Sequence, residues 1–116
     1  MSENNQLDMA LLSGYLDNLG AEIVQQMLDL YQQQSVVYLN DINQAMEVQS
    51  QPDWQESCHK MKGAAGSAGL IGVHQKLVAI EKSTDSWPIK KQYFQELSTL
   101  NQAAISCFTQ WLSNEQ

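Results

Sequence analysis

Hydrophobic side chains return every three or four residues in segment after segment of this chain, with no sustained alternation in steps of two, so the pattern predicts helices and no sheet. Leu7, Leu11, Leu12, Tyr15, Leu16 and Leu19 mark a short first helix that Gly20 stops. Val24, Leu28, Tyr31, Ser35, Tyr38, Ile42 and Ala45 then recur in steps of four and three, which predicts a helix from about Ala21 to Gln49. At 1.5 Å of rise per residue that helix is about 40 Å long and forms the spine of a bundle. In Ser50-Gln51-Pro52-Asp53 the proline stands where a new helix can begin and the aspartate suits its first turn. From about Asp53 to Ala68 a third stripe follows, made of Trp54, Cys58, Met61, Ala65 and Ala68. Past Gly69, Leu70, Val73, Leu77 and Ile80 give a fourth stripe that closes near Ser83-Thr84-Asp85. Pro88 opens a last helix, in which Tyr93, Leu97, Leu100, Ala104, Phe108 and Trp111 keep helical spacing almost to the C-terminus.

Short connections between amphipathic helices set neighbours antiparallel. The expected fold is therefore all-α, an antiparallel up-down-up-down four-helix bundle with the short N-terminal helix as a cap. A chain of 116 residues is long enough to bury a core as one domain, here 1–116, with 1–6 and 113–116 expected as disordered tails. Tyr15, Tyr31, Tyr38, Trp54, Phe108 and Trp111 sit at helical spacing and read as core or boundary residues.

Charge narrows the partners. The net charge of −7 argues against nucleic acid, whose phosphates are bound by clustered cations. All six cations are lysines and none precedes Lys60, whereas nine of the thirteen acids do, so Lys60, Lys62, Lys76 and Lys82 make one segment locally basic. Cys58 and Cys107 lie far apart, each on a predicted core stripe, and read as small buried hydrophobes in a reducing compartment. No apolar run is long enough to span a membrane and the start is too polar for a secretory signal, so the chain is expected to be cytoplasmic, or a cytoplasmic piece of something larger. It is also expected to be a monomer.

His59 is the residue the pattern leaves over. It points about 140° from the centre of the third stripe, toward solvent. Lys62, Gly63 and Gly66 follow at i+3, i+4 and i+7, beside the imidazole or beyond it on the same face. A glycine inside a helix costs about 1 kcal/mol relative to alanine, so two on one face call for a reason. Space around an imidazole nitrogen with a cation nearby suits a side chain that accepts a phosphoryl group and is reached by another protein. His74 lacks the lysine and glycines that follow His59 and reads as a surface or boundary histidine.

His59, Lys62 and Gly63, with the small residues Ala64, Ala65, Gly66 and Ser67 and then Gly69-Leu70, resemble the signature of the histidine-containing phosphotransfer (HPt) domains. The likeness runs from about Leu7 to Lys82 and is nearest to the HPt domains at the C-terminal end of bacterial hybrid sensor kinases. It implies the same bundle fold and a phosphorelay intermediate. His59 would take a phosphoryl group from a receiver-domain phospho-aspartate and pass it to another receiver, with Lys62, Gly63 and Gly66 supporting it. No cofactor of its own is implied, and Mg²⁺ would sit on the partner receiver. The chain has no glycine-rich nucleotide loop, so it would not use ATP itself. Glu81, in Ile80-Glu81, falls where the family usually has Glu or Gln in a Leu-Glu pair, a candidate for holding the second imidazole nitrogen. The other reading of Glu81 is a solvated acid paired with Lys82 or Lys76.

Two other functions stay beside this one: a non-phosphorylated helical adaptor for a receiver domain, and a metal-binding bundle. Glu56 and His59 form a Glu-x-x-His pair of the kind di-iron bundles use, but one copy only, facing away from the core stripe. Cys58 and His59 are adjacent and lie on different helix faces, which does not suit zinc, so no metal site is expected.

Overall fold

The computed structural model describes residues 6–115, and five helices account for most of these described residues. They are α1 (Met9–Leu19), α2 (Ala21–Glu47), α3 (Gln51–Ser67), α4 (Ile71–Ile80) and α5 (Trp87–Glu115). Local chemistry sets the boundaries. The Asp8 carboxylate accepts from Leu11 N at 3.1 Å and starts α1, and Ser50 Oγ accepts from Asp53 N at 3.2 Å and starts α3, with Pro52 in its first turn. Gly20 joins α1 to α2 at φ 87°, a left-handed conformation that a side chain disfavours. Gly69, at φ 79°, turns the chain between α3 and α4, and a Cβ there would lie 2.8 Å from Leu12 Cδ2 of α1.

Helices α2, α3, α4 and α5 pack in a ring, each against the next and α5 back on α2, while α1 leans on α2. The short connections make ring neighbours antiparallel, and the bundle is 44 Å long. The stripes predicted for α2, α3 and α4 supply most of the core, whereas of the first stripe only Leu7 and Leu12 are buried and Leu19 is exposed. Val24, Leu28, Ile42, Trp54, Cys58, Met61, Ala65, Val73 and Leu77 are all buried. Tyr31, Trp54 and Phe108 are buried as well, while Tyr15, Tyr38 and Trp111 sit half-buried at the boundary.

Two expectations need correction. The C-terminal tail expected at 113–116 is helical through Glu115, because α5 meets no breaker and Leu112 is fully buried. At the other end Gln6 O accepts from Gly72 N at 3.3 Å; residues 1–5 and 116 lie outside the described residues. On α5 the buried line runs through Lys90, Leu97, Asn101, Ala104 and Phe108, leaving Leu100 and Trp111 half-buried. The line turns toward Asn101 because its amide links two side chains of α2. It accepts from Tyr31 Oη at 2.6 Å and donates to Ser35 Oγ at 3.1 Å, so every polar group in that buried contact has a partner.

Lys90 is 2% exposed. Its ammonium lies 4.4 Å from the Trp87 ring centre and donates to Asp85 O at 2.7 Å, holding down the connection between α4 and α5. Trp54 Nε1–H donates to Ile80 O at 3.0 Å, tying α3 to the last turn of α4. Together these contacts fix the residue that follows α4, which is Glu81.

Candidate functional site

His59 emerges from the middle of α3 on the face opposite the core stripe, and its side chain is 68% exposed. Glu81, the first residue after α4, comes up beside it and is only 7% exposed. Its cover is the His59 and Lys62 side chains at the rim of the bundle rather than depth inside it. The carboxylate bridges the two: Oε2 lies 3.3 Å from His59 Nδ1 and Oε1 lies 2.7 Å from Lys62 Nζ.

Burial pushes the Glu81 carboxyl up, but the Lys62 ammonium and then the His59 ring outweigh it and hold the group below its ordinary value. Glu81 is thus an anion. A carboxylate can only accept, so a hydrogen bond across this 3.3 Å contact would take a proton on Nδ1 of His59 and leave the lone pair on Nε2. Of the two readings of Glu81, the solvated acid paired with Lys82 or Lys76 does not fit this geometry. Lys76 instead pairs with Glu96 of α5, and Lys82 is exposed.

The remaining candidates divide. Lys62 is beside His59 as its spacing required, but it is only 24% exposed and its ammonium is turned onto Glu81 rather than into solvent. Gly63 is open: a Cβ there would meet no atom within 4 Å. Gly66 faces the His74 ring of α4. It is seven residues from His59, about 10 Å along the helix axis, and a Cβ on it would lie 3.1 Å from His74 Nδ1 of α4. The expected basic character of the segment is also reduced, since Lys60 pairs with Glu56 at 3.6 Å and Lys62 and Lys76 have carboxylate partners too. Among the described residues no three His, Cys, Asp or Glu side chains stand close enough together to hold a metal ion, and no helix is long and apolar enough to cross a membrane.

Sequence reasoning missed the surface next to His59. Met27, Leu30, Gln34 and Tyr38 of α2 face Lys60, Gly63, Ala64 and Ser67 of α3 across an open groove. Leu30 and Ile23 are exposed leucine and isoleucine on the same side of α2. The signal was there: Ile23, Met27, Leu30 and Val37 form a second apolar line beside the core stripe, hidden by the glutamines between them.

The model of the Hpt domain family matches residues 26–106, which include His59, Lys62, Gly63 and Glu81. The aerobic respiration control sensor protein ArcB of Escherichia coli O157:H7 is 32% identical over 69 residues, 60% of this chain and 9% of that far longer protein. Among solved structures, the histidine-containing phosphotransfer domain of ArcB from Escherichia coli superposes with a TM-score of 0.87 over 100% of both chains at 21% identity. A solution structure of the same domain gives 0.83, covering 96% of this chain and 90% of that one at 22% identity. The bundle has the fold of those phosphotransfer domains, and the chain belongs to the Hpt domain family.

Proposed function

We propose that this protein is a phosphorelay intermediate that takes a phosphoryl group from a receiver-domain phospho-aspartate onto Nε2 of His59 and delivers it to the aspartate of another receiver. The observation that carries the reading is the pairing of a largely exposed imidazole with a covered carboxylate on Nδ1. In the forward step the Nε2 lone pair forms a bond to phosphorus while the bond from phosphorus to the aspartate oxygen breaks, returning a free carboxylate to the receiver. The ring gains positive charge as Nε2 bonds, and Glu81 stands where it stabilises that charge through the Nδ1 proton. The reverse sequence, with His59 as leaving group, loads the second receiver. This chain contributes the nucleophile, its tautomer and the landing surface; the aspartate and Mg²⁺ belong to the receiver.

The open position at Gly63 leaves room for the phosphoryl group and for the receiver's loops, and the groove between α2 and α3 offers apolar surface for a helix of the receiver. The non-phosphorylated adaptor would share that groove but would not carry label. Incubation with a phosphorylated receiver domain from the same organism tests the reading. Acid-labile label should appear on this protein and be lost in His59→Gln, with melting shifted by no more than about 0.5 kcal/mol. Stable complex formation without any transfer of label would support the adaptor instead.

A further inference from the structure

Beside the phosphoryl site, α4 touches α3 a second time through a residue that the sequence left without a task. Nδ1 of His74 lies 3.1 Å from the carbonyl oxygen of Lys62. A carbonyl only accepts, so the contact requires the proton on Nδ1 of His74. Gly66 is what lets the ring approach, because a Cβ at that position would stand 3.1 Å from Nδ1 and 3.5 Å from Cε1. One residue of α3 thus receives α4 at two levels. The backbone of Lys62 takes His74, and its ammonium takes Glu81, seven residues and about 10 Å further along α4.

A helix held at one point can pivot, while a helix held at two has its register and rotation set. The far end of α4 is fixed by Trp54 on Ile80 O. At the near end Gly72 N donates to Gln6 O and Val73 is buried, and His74 adds the one side-chain hydrogen bond there that reaches the residue carrying the Glu81 partner. We infer that His74 is a positioning residue for the phosphoryl site: its hydrogen bond to Lys62 O, made possible by Gly66, sets α4 on α3 in the register that brings Glu81 against Nδ1 of His59. The inference rests on His59 as phosphoryl acceptor, and it gives the small residue at 66 its purpose. That purpose is room for an imidazole rather than room for phosphate.

If His74 merely filled volume, an apolar residue of similar size would serve; if it positions, the donor matters. Asparagine places an N–H near the position of Nδ1, and leucine does not. The test compares wild type with H74L, H74N, G66A, H74A and the double variant G66A/H74A in two measurements. One is the initial rate of transfer from a phosphorylated receiver domain. The other is the share of neutral His59 carrying its proton on Nδ1, read by ¹⁵N NMR on the unphosphorylated protein. H74L and G66A should each slow transfer by about five-fold and move His59 toward the Nε2–H tautomer, with H74N within about two-fold of wild type. Adding G66A to H74A should cost less than about two-fold, because the ring it would displace is gone. Wild-type rate and tautomer in H74L, or an H74N as impaired as H74L, would overturn the inference. If wild type itself takes no phosphoryl group, the functional reading fails, and the tautomer series still decides whether His74 holds Glu81 in place.

Discussion

Glu81 joins opposing influences, and its neighbours decide the outcome. Burial alone would favour the neutral acid, yet the ammonium 2.7 Å from one oxygen and the ring 3.3 Å from the other keep it charged. A folded-state value below the ordinary carboxylate value of 4.5 means that the unfolded chain binds the proton more readily. The stabilisation from Glu81 is therefore present above that value and is lost as pH falls through the lower, folded-state value. Glu81→Gln should cost about 1.5–3 kcal/mol at neutral pH, the range for a polar contact to a charged group, and the gap to wild type should close in acid. Denaturant melts of both proteins across the acid range check this; a gap that persists unchanged would mean that the carboxylate has no role in stability. Lys62 is turned onto Glu81, and in the proposed phosphorylated state its flexible point charge would be drawn to the phosphoryl oxygens. Lys62→Ala should lower the phosphorylated fraction at equilibrium with a receiver by several-fold, about 1 kcal/mol or less, and added salt should bring wild type toward the variant. Equal fractions at low salt would remove Lys62 from the phosphoryl site.

Helix α3 is where element and function meet, and its two kinds of small residue make different predictions. Gly63 has open space around it, so Gly63→Ala should stabilise the helix by about 1 kcal/mol through propensity alone. Gly63→Gln would put a long side chain into the groove that Gly63 helps to line and should slow transfer strongly while the protein stays folded. Unchanged transfer in Gly63→Gln would mean that the open position serves no partner. Ser50→Ala removes the N-cap of α3 and should cost about 1 kcal/mol in a thermal melt without slowing transfer, since the cap lies at the far end of the helix from the groove. The helices were legible in the sequence because the buried lines of α2, α3 and α4 are, Ser35 apart, hydrophobic at helical spacing. On α5 they part company: Asn101 and Lys90 are buried and polar, and no hydrophobic pattern reveals a buried amide or ammonium whose partners lie on other elements. The neighbour of Gly66 is hidden from the sequence for a similar reason: the ring beside it comes from α4.

At the scale of the whole molecule the packing of the helices decides what surrounds the exposed His59 imidazole. The ring of four helices puts the end of α4 beside the middle of α3, and the Tyr31–Asn101–Ser35 contact locks α2 to α5 on the opposite side. Glu81 thereby reaches His59 from 22 residues away in sequence, a meeting that spacing along one helix could not disclose. Cys58, directly beneath the site, is sealed: burial and then the Glu81 charge push its thiol up to about 12. Thiol reagents should therefore modify half-buried Cys107 and spare Cys58 until the bundle unfolds, as mass spectrometry of native and denatured protein would show. The central claim is that phosphorus bonds to the one imidazole nitrogen that Glu81 leaves free. It is tested most directly by ³¹P and ¹⁵N NMR of the isotope-labelled protein after incubation with a phosphorylated receiver. The account predicts a single phosphoramidate signal coupled to Nε2 of His59, with the proton still on Nδ1. Phosphorus on Nδ1 of His59 or on either nitrogen of His74, or no phosphoramidate at all, would contradict it.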